Sequence, residues 1–355
     1  MVRQARALGC SVRALGCSAF ALALGCSALA LGCSAPASPP RTEPPRTEPP
    51  PADEAPARPA RADLPTGEAP TSLVALDGTL LFTDMAGGIW SMPADGSGAP
   101  RQLSDQKRPG FAFQLFTAGR QVLATSRGDL LRVGVPGVPG APGAPGAPGG
   151  PVTLAKIRGL LEYPIAAAAD ASFIYLTLFK RPEIMRVPVA GGAATKLAEL
   201  PRAVLALHGD TLYAASYATG VLVAIETATG KSRVVARGLA KPTAIAADPA
   251  HVFATCEGDQ TLRRIDVATG AITELARGLV NSDDVELDGD HVYTRTWGAR
   301  PALVRVAKDG SRPQEIVAEL PTPTDIAFDA TSVYVASRDG RRIVRLDKAA
   351  LGRGR

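Results

Sequence analysis

An acid, or a residue standing in its place, recurs five residues ahead of an aromatic along most of this chain: Asp170 with Tyr175, His208 with Tyr213, Asp248 with Phe253, Asp288 with Tyr293 and Asp329 with Tyr334. Successive copies lie 38 to 41 residues apart. A period of that length, filled with short apolar runs and turn residues, defines the blades of a β-propeller, because one such unit cannot bury its own faces and must stack on its neighbours. The copy at 242–279 predicts strands over 244–247, 251–255, 261–267 and 272–276, separated by Asp248-Pro249-Ala250, Glu257-Gly258-Asp259 and Ala268-Thr269-Gly270.

Further copies start near Ser72, Phe113, Pro164, Arg202, Asp283 and Thr324, which makes seven with the copy at Pro242. The expected fold is all-β: a seven-bladed β-propeller of four-stranded antiparallel blades. The last copy offers only three strands. Its missing partner is found near the other end of the chain, where Ala62-Asp63-Leu64-Pro65-Thr66 matches Ala318-Glu319-Leu320-Pro321-Thr322, the end of the sixth copy's outer strand. Residues 57–64 are therefore expected to complete the seventh blade and close the ring, with six blades plus a loose repeat as the alternative. The propeller spans 57–350, and its second copy carries a Gly- and Pro-rich insertion at 134–151 that reads as an expanded loop. Collagen would need three chains and a longer tract.

Ahead of the repeats, Arg3, Arg6 and Arg13 precede an uncharged apolar stretch over 14–32. A basic region followed by an apolar one is an export signal, here assigned to 1–33. Four of the five cysteines, Cys10, Cys17, Cys26 and Cys33, sit in this leader in copies of Ala-Leu-Gly-Cys-Ser. Residues 34–56 are rich in proline and form a semi-stiff spacer, not a packed unit. The remaining thiol, Cys256, has no partner within the repeats and reads as a small buried filler.

The charge of +5 is small for 355 residues, and the Lys and Arg residues form no run, which excludes a nucleic-acid-binding strip. A monomer is expected. On the inner strands the position two before the acid is small, as Ala75, Ala168, Ala206, Ala246 and Ala327, whereas the sixth copy has Glu286. Asp284 shares its strand face and Asp325 lies in the next copy, so the three carboxylates are expected on one sector of the central channel, with Arg295 as counter-ion. Oxygen ligands from separate strands suit Ca²⁺ or Mg²⁺, but no closely spaced ligand loop accompanies them, and the preferred reading is a buried ion-pair cluster or carboxylates hydrated in the channel. No other cofactor is implied. At the mouth of the channel the loops gather Asp84, Arg181, Tyr217, Glu257, Arg295, Trp297 and Arg338, the residue types that recognition surfaces favour. His208, His251 and His291 occupy repeated positions on the opposite face and do not converge, so no catalytic triad or histidine metal site is expected.

The unit from Pro323-Thr324-Asp325-Ile326-Ala327-Phe328-Asp329 through Val333-Tyr334-Val335 to Ile343-Val344-Arg345-Leu346 resembles NHL-like and streptogramin-lyase-like propellers. That resemblance implies the fold and little about activity. The His and Glu catalytic group of streptogramin lyases has no counterpart here. Gluconolactonase-like propellers hold a divalent cation with Glu, Asn and Asp, types matched by Glu286, Asn281 and Asp325. The leader resembles that of bacterial lipoproteins, which implies acylation of Cys33, or else Cys26. By that resemblance the protein is exported and lipid-anchored at the outer membrane or cell surface. There it would bind an envelope protein or a small ligand without catalysis, the alternative being a metal-assisted hydrolase or lyase.

Overall fold

The computed structural model describes residues 61–104, 114–126, 129–134, 152–156, 164–178 and 181–351. Seven antiparallel sheets of four strands follow one another along the chain, six of them in simple up-and-down order. In the copy at 242–279 the strands are Pro242–Ala247, His251–Cys256, Thr261–Asp266 and Ile272–Arg277, within two residues of the expected bounds. Residues of all seven first strands line one central channel. Each core cluster joins two neighbouring blades: Tyr213, Ala215 and Leu222 of the fourth, for example, pack with Val252, Ala254 and Cys256 of the fifth. Cys256 is 2% exposed, and burial pushes its thiol up to about 11, so it packs as an apolar side chain and stays protonated.

The seventh blade is closed as the sequence requires. Arg61–Pro65 pairs antiparallel with Arg342–Asp347, with Ala62 opposite Arg345 and Leu64 opposite Ile343. The earlier part of the expected strand, 57–60, lies outside the described residues, as do the leader and the spacer. The tip of the second blade's insertion, 135–151, does so too. A single helical turn, Lys348–Leu351, follows the last strand. Lys348 donates from Nζ to Asp288 Oδ1 at 2.7 Å and to the Asp329 carbonyl at 2.6 Å, pinning this turn across two blades.

The sixth blade departs from the expected layout. Its first strand is only Glu286–Asp288, although the repeat places a start near Asp283. Side chains have replaced the backbone ladder there: Thr294 Oγ1 donates to the Asp284 carbonyl at 2.6 Å and also meets Ser282 Oγ. Local side-chain bonds of this kind compete with strand pairing.

A second device, absent from the sequence reading, ties the blades together. The third-strand residue opposite the core aromatic is arginine in most blades: Arg186 faces Tyr175, Arg264 faces Phe253, Arg305 faces Tyr293 and Arg345 faces Tyr334, while Arg132 faces Leu123. Each guanidinium crosses to a carbonyl just beyond the next blade's third strand: Arg132 to Val189 at 3.1 Å, Arg186 to Thr227 at 2.9 Å, Arg264 to Lys308 at 3.0 Å, Arg305 to Leu351 at 2.9 Å and Arg345 to Asp95 at 3.0 Å. The fourth blade has Ala224 at this position. Its cross-strand neighbour Arg233 reaches Val267 instead, at 3.3 Å. Turn glycines make these close approaches possible: a Cβ on Gly230 or Gly270 would lie 2.4 Å from the carbonyl oxygen of Leu197 or Val235 in the preceding blade.

Candidate functional site: the channel and its mouth

The channel encloses about 560 Å³ and its wall is chiefly alanine and aliphatic. Ala75, Ala168, Ala206, Ala246 and Ala327 line it, and Glu286 sits in the same register, opposite Tyr293 as Ala168 is opposite Tyr175 and Ala327 opposite Tyr334. Asp284 and Asp325 share the wall with it. Glu286 is exposed to the channel's open space, which protein surrounds. That confinement, reinforced by the Asp284 and Asp325 charges, pushes Glu286 well above the usual carboxylate range. Burial also raises Asp284 to about 7, helped by Asp325 and opposed by Arg295.

The carboxylates are not equivalent. Asp325 Oδ2 accepts from Ser72 Oγ and from Leu73 N, both at 2.7 Å, and Oδ1 accepts from Ile326 N at 2.8 Å. Ser72 Oγ in turn accepts from Leu115 N at 3.0 Å, so one short chain of bonds links the seventh, first and second blades. Asp325 is thus committed to closing the ring, and burial raises it in spite of those bonds. Arg295, buried at the mouth, holds Asp283 at 2.9 Å and the Pro323 carbonyl at 3.1 Å. Its Nε stands 3.5 Å from Asp284 Oδ2, and neither atom makes a hydrogen bond. Among the described residues, no three acidic, His or Cys side chains are arranged to hold a metal ion.

Around the rim, one residue follows directly on the second strand of each blade, and this column contains Met85, Tyr217, Glu257, Trp297 and Arg338. Met85 is 54% exposed. Asp84 belongs to the strand below it, where it is buried, accepting from Ala86 N and Gly88 N at 2.8 Å and from Trp90 Nε1 at 2.7 Å. It shapes the loop from beneath. Tyr217 donates from its hydroxyl to Glu257 Oε2 at 2.7 Å, and the Arg202 guanidinium lies over its ring at 4.4 Å. Arg295 and Arg338 each lie 5.4 Å from the Trp297 ring centre. Arg181 is exposed in the third blade's loop.

The rim is held by backbone as well. Arg202, Lys241, Asn281 and Thr322, equivalent in the repeat, adopt left-handed φ values of 48 to 53°. The carbonyls of Arg202, Lys241 and Thr322 accept from the backbone N–H groups of Tyr217, Glu257 and Arg338 at 3.0 to 3.1 Å. A non-glycine residue in this region is strained, and its recurrence fixes the column on the ring's own framework. The three histidines occur at the first turn or the start of the second strand, on the opposite face. Cys26 and Cys33 lie outside the described residues.

No family model and no curated protein matches this sequence. Solved structures do match in fold. A streptogramin B lyase structure aligns with a TM-score of 0.64 at 17% identity over 81% of this chain and 97% of its own. YCF48 from Cyanidioschyzon merolae gives 0.60 at 12% identity, over 82% of this chain and 99% of its own. BamB from Moraxella catarrhalis gives 0.50 at 15%, over 79% and 86%. The chain is a streptogramin-lyase-like seven-bladed propeller in architecture, and at such identities the likeness concerns the fold alone.

Proposed function

We propose that this protein is an exported, lipid-anchored propeller of the cell envelope that acts as a non-catalytic binding module, holding an envelope protein or a small ligand on its mouth. The observation carrying this reading is the rim column. Met, Tyr, Trp and Arg occupy it at the rim, outside the blade cores, and these are the residue types that recognition interfaces favour. The likeness to BamB in fold is compatible with an envelope setting. A photo-crosslinking residue placed at Tyr217 in cells should capture a discrete partner that Trp297→Ala and Arg338→Ala reduce, while one at Thr229, on the opposite face, captures none. Equal capture from both faces sinks the reading. For the anchor, palmitate label should be lost from the Cys33→Ala variant, or from Cys26→Ala if that is the acceptor; label retained in the double variant removes it.

A second reading, a metal-assisted hydrolase or lyase, is favoured by the coupled carboxylates Asp284, Glu286 and Asp325. Against it, ligation by Asp325 would compete with the bonds that join the seventh blade to the first. Calorimetric titration of chelator-treated protein with Ca²⁺, Mg²⁺ and Zn²⁺ separates the two. Saturable heat that Glu286→Ala abolishes would promote the metal reading, and no heat from any ion removes it.

A further inference from the structure

The fourth blade breaks a pattern at the face opposite the mouth. In the third and seventh blades a tyrosine hydroxyl donates to the carboxylate of the first turn, Tyr175 to Asp170 and Tyr334 to Asp329, both at 2.6 Å. Arg186 and Arg345 stand beside those rings. In the fourth blade both companions are gone: His208 stands where the acid belongs, and Ala224 stands where the arginine belongs. Tyr213 remains, only 5% exposed. Among the described residues its hydroxyl has no hydrogen-bond partner, and burial keeps it protonated, hence a donor.

Beside it the fourth blade carries a pocket of about 280 Å³, partly open to solvent, lined by Thr211, Tyr213, Ala224, Glu226, Lys231, Ser232 and Arg233. The hydroxyl opens on this pocket, and the third and seventh blades show the partner it takes elsewhere, a carboxylate. Lys231 and Arg233 face two acids: Glu226, whose Oε2 already accepts from Thr229 Oγ1 at 2.7 Å, and Asp248 of the fifth blade, whose Oδ2 lies 3.7 Å from Lys308 Nζ. Arg233 spends its terminal nitrogens only on long contacts of 3.3 Å to the Val267 carbonyl, so its guanidinium has capacity left.

We propose that this cavity binds a small organic carboxylate, whose oxygens accept from the Tyr213 hydroxyl and the Arg233 guanidinium as Asp170 accepts from Tyr175. The site is separate from the mouth and from the channel carboxylates. The full-length protein is titrated calorimetrically with sodium acetate at pH 7, against sodium chloride at matched ionic strength. Saturable one-to-one binding is expected, weakened about tenfold in Tyr213→Phe, the scale of one charge-assisted hydrogen bond. His208→Asp supplies the missing carboxylate within the chain. It should remove acetate binding and raise the thermal midpoint without acetate. Ala224→Arg, which refills the cavity, should also remove binding. Heats indistinguishable from those of chloride, meaning that water alone fills the cavity, overturn the proposal, and so does unchanged acetate affinity in Tyr213→Phe together with His208→Asp.

Discussion

Each repeated aspartate of the first turn does two things at once in the third and seventh blades. Asp329 Oδ1 accepts from Thr331 N and Ser332 N at 2.7 Å while Oδ2 accepts from Tyr334, so one side chain both shapes a turn and fastens it to a core ring. Tyr334→Phe should therefore cost about 1–3 kcal/mol in denaturant unfolding, because it leaves a half-buried carboxylate short of a donor. Tyr213→Phe, which breaks no bond within the protein, should stay within about 0.5 kcal/mol. Burial works against ionisation of Asp329, but the bonds from Tyr334, Thr331 and Ser332 outweigh it and hold the carboxyl below its ordinary value. Its contribution to stability is thus present above the unfolded-state pKa and lost as pH falls through the folded one. The channel behaves in the opposite sense. Asp284, raised to about 7, binds its proton more tightly in the folded state than in the unfolded one, so its own contribution to stability is full below about pH 4 and is lost as pH rises through 7. Asp284→Asn should leave stability nearly unchanged at pH 4 and raise it by on the order of 1 kcal/mol at pH 8, measured by urea unfolding. The acid and aromatic pairs were legible in the sequence because both members sit within one copy. The bond from Lys348 to Asp288 was not, since Lys348 lies 60 residues further on, on a helical turn that no repeat announces.

At the scale of strands, alternation and turn residues placed the copies correctly, since both signals are local and repeat with the blade. The arginine ties escaped notice because the acceptor is a backbone carbonyl, which carries no residue identity, and because it belongs to the next copy. In hindsight the spacing of Arg264, Arg305 and Arg345 is that of the blades. The rim column was legible only in part: Tyr217, Glu257, Trp297 and Arg338 were gathered from the loops, whereas Met85 was passed over for its neighbour Asp84. A carboxylate ahead of a turn reads as exposed, but here it is spent on the turn's own N–H groups and on Trp90. Of the ties, Arg345 is the most buried, 5% exposed, and it spans the junction between the last blade and the first. Arg345→Met keeps the apolar stem and removes only the guanidinium. It should destabilise by about 2 kcal/mol in chemical denaturation, the range for a hydrogen bond to a charged group, and leave the secondary structure seen by circular dichroism intact.

A ring of blades differs from a linear stack in having no terminal unit, and here that property depends on a strand drawn from the start of the propeller. Leu64 carries the junction: it is 5% exposed and packs with Leu73, Leu80, Phe82 and Met92 of the first blade and with Tyr334, Ala336 and Ile343 of the seventh. The Thr324 hydroxyl donates to the Pro70 carbonyl at 2.8 Å and Asp325 bonds Ser72, so the same two blades are also stitched along their inner strands. Placing a charge at Leu64 should cost more than about 3 kcal/mol, through lost packing and an unpaired buried carboxylate. Val234→Asp, on an outer strand where the side chain is 47% exposed, should stay within about 0.5 kcal/mol. The pattern of the loss discriminates further. If each blade is held mainly by its two neighbours, Leu64→Asp turns the first and seventh blades into ends, and hydrogen exchange should accelerate in Thr79–Asp84 and Ser332–Ser337 while Thr211–Ser216, across the ring, keeps its protection. The bared edge of Arg342–Asp347 should then promote association, visible as a concentration-dependent sedimentation coefficient that the unaltered protein does not display. Acceleration of equal size in all three strands would mean instead that the blades open together, with the closing strand acting on the ring as one cooperative body and not as a local latch.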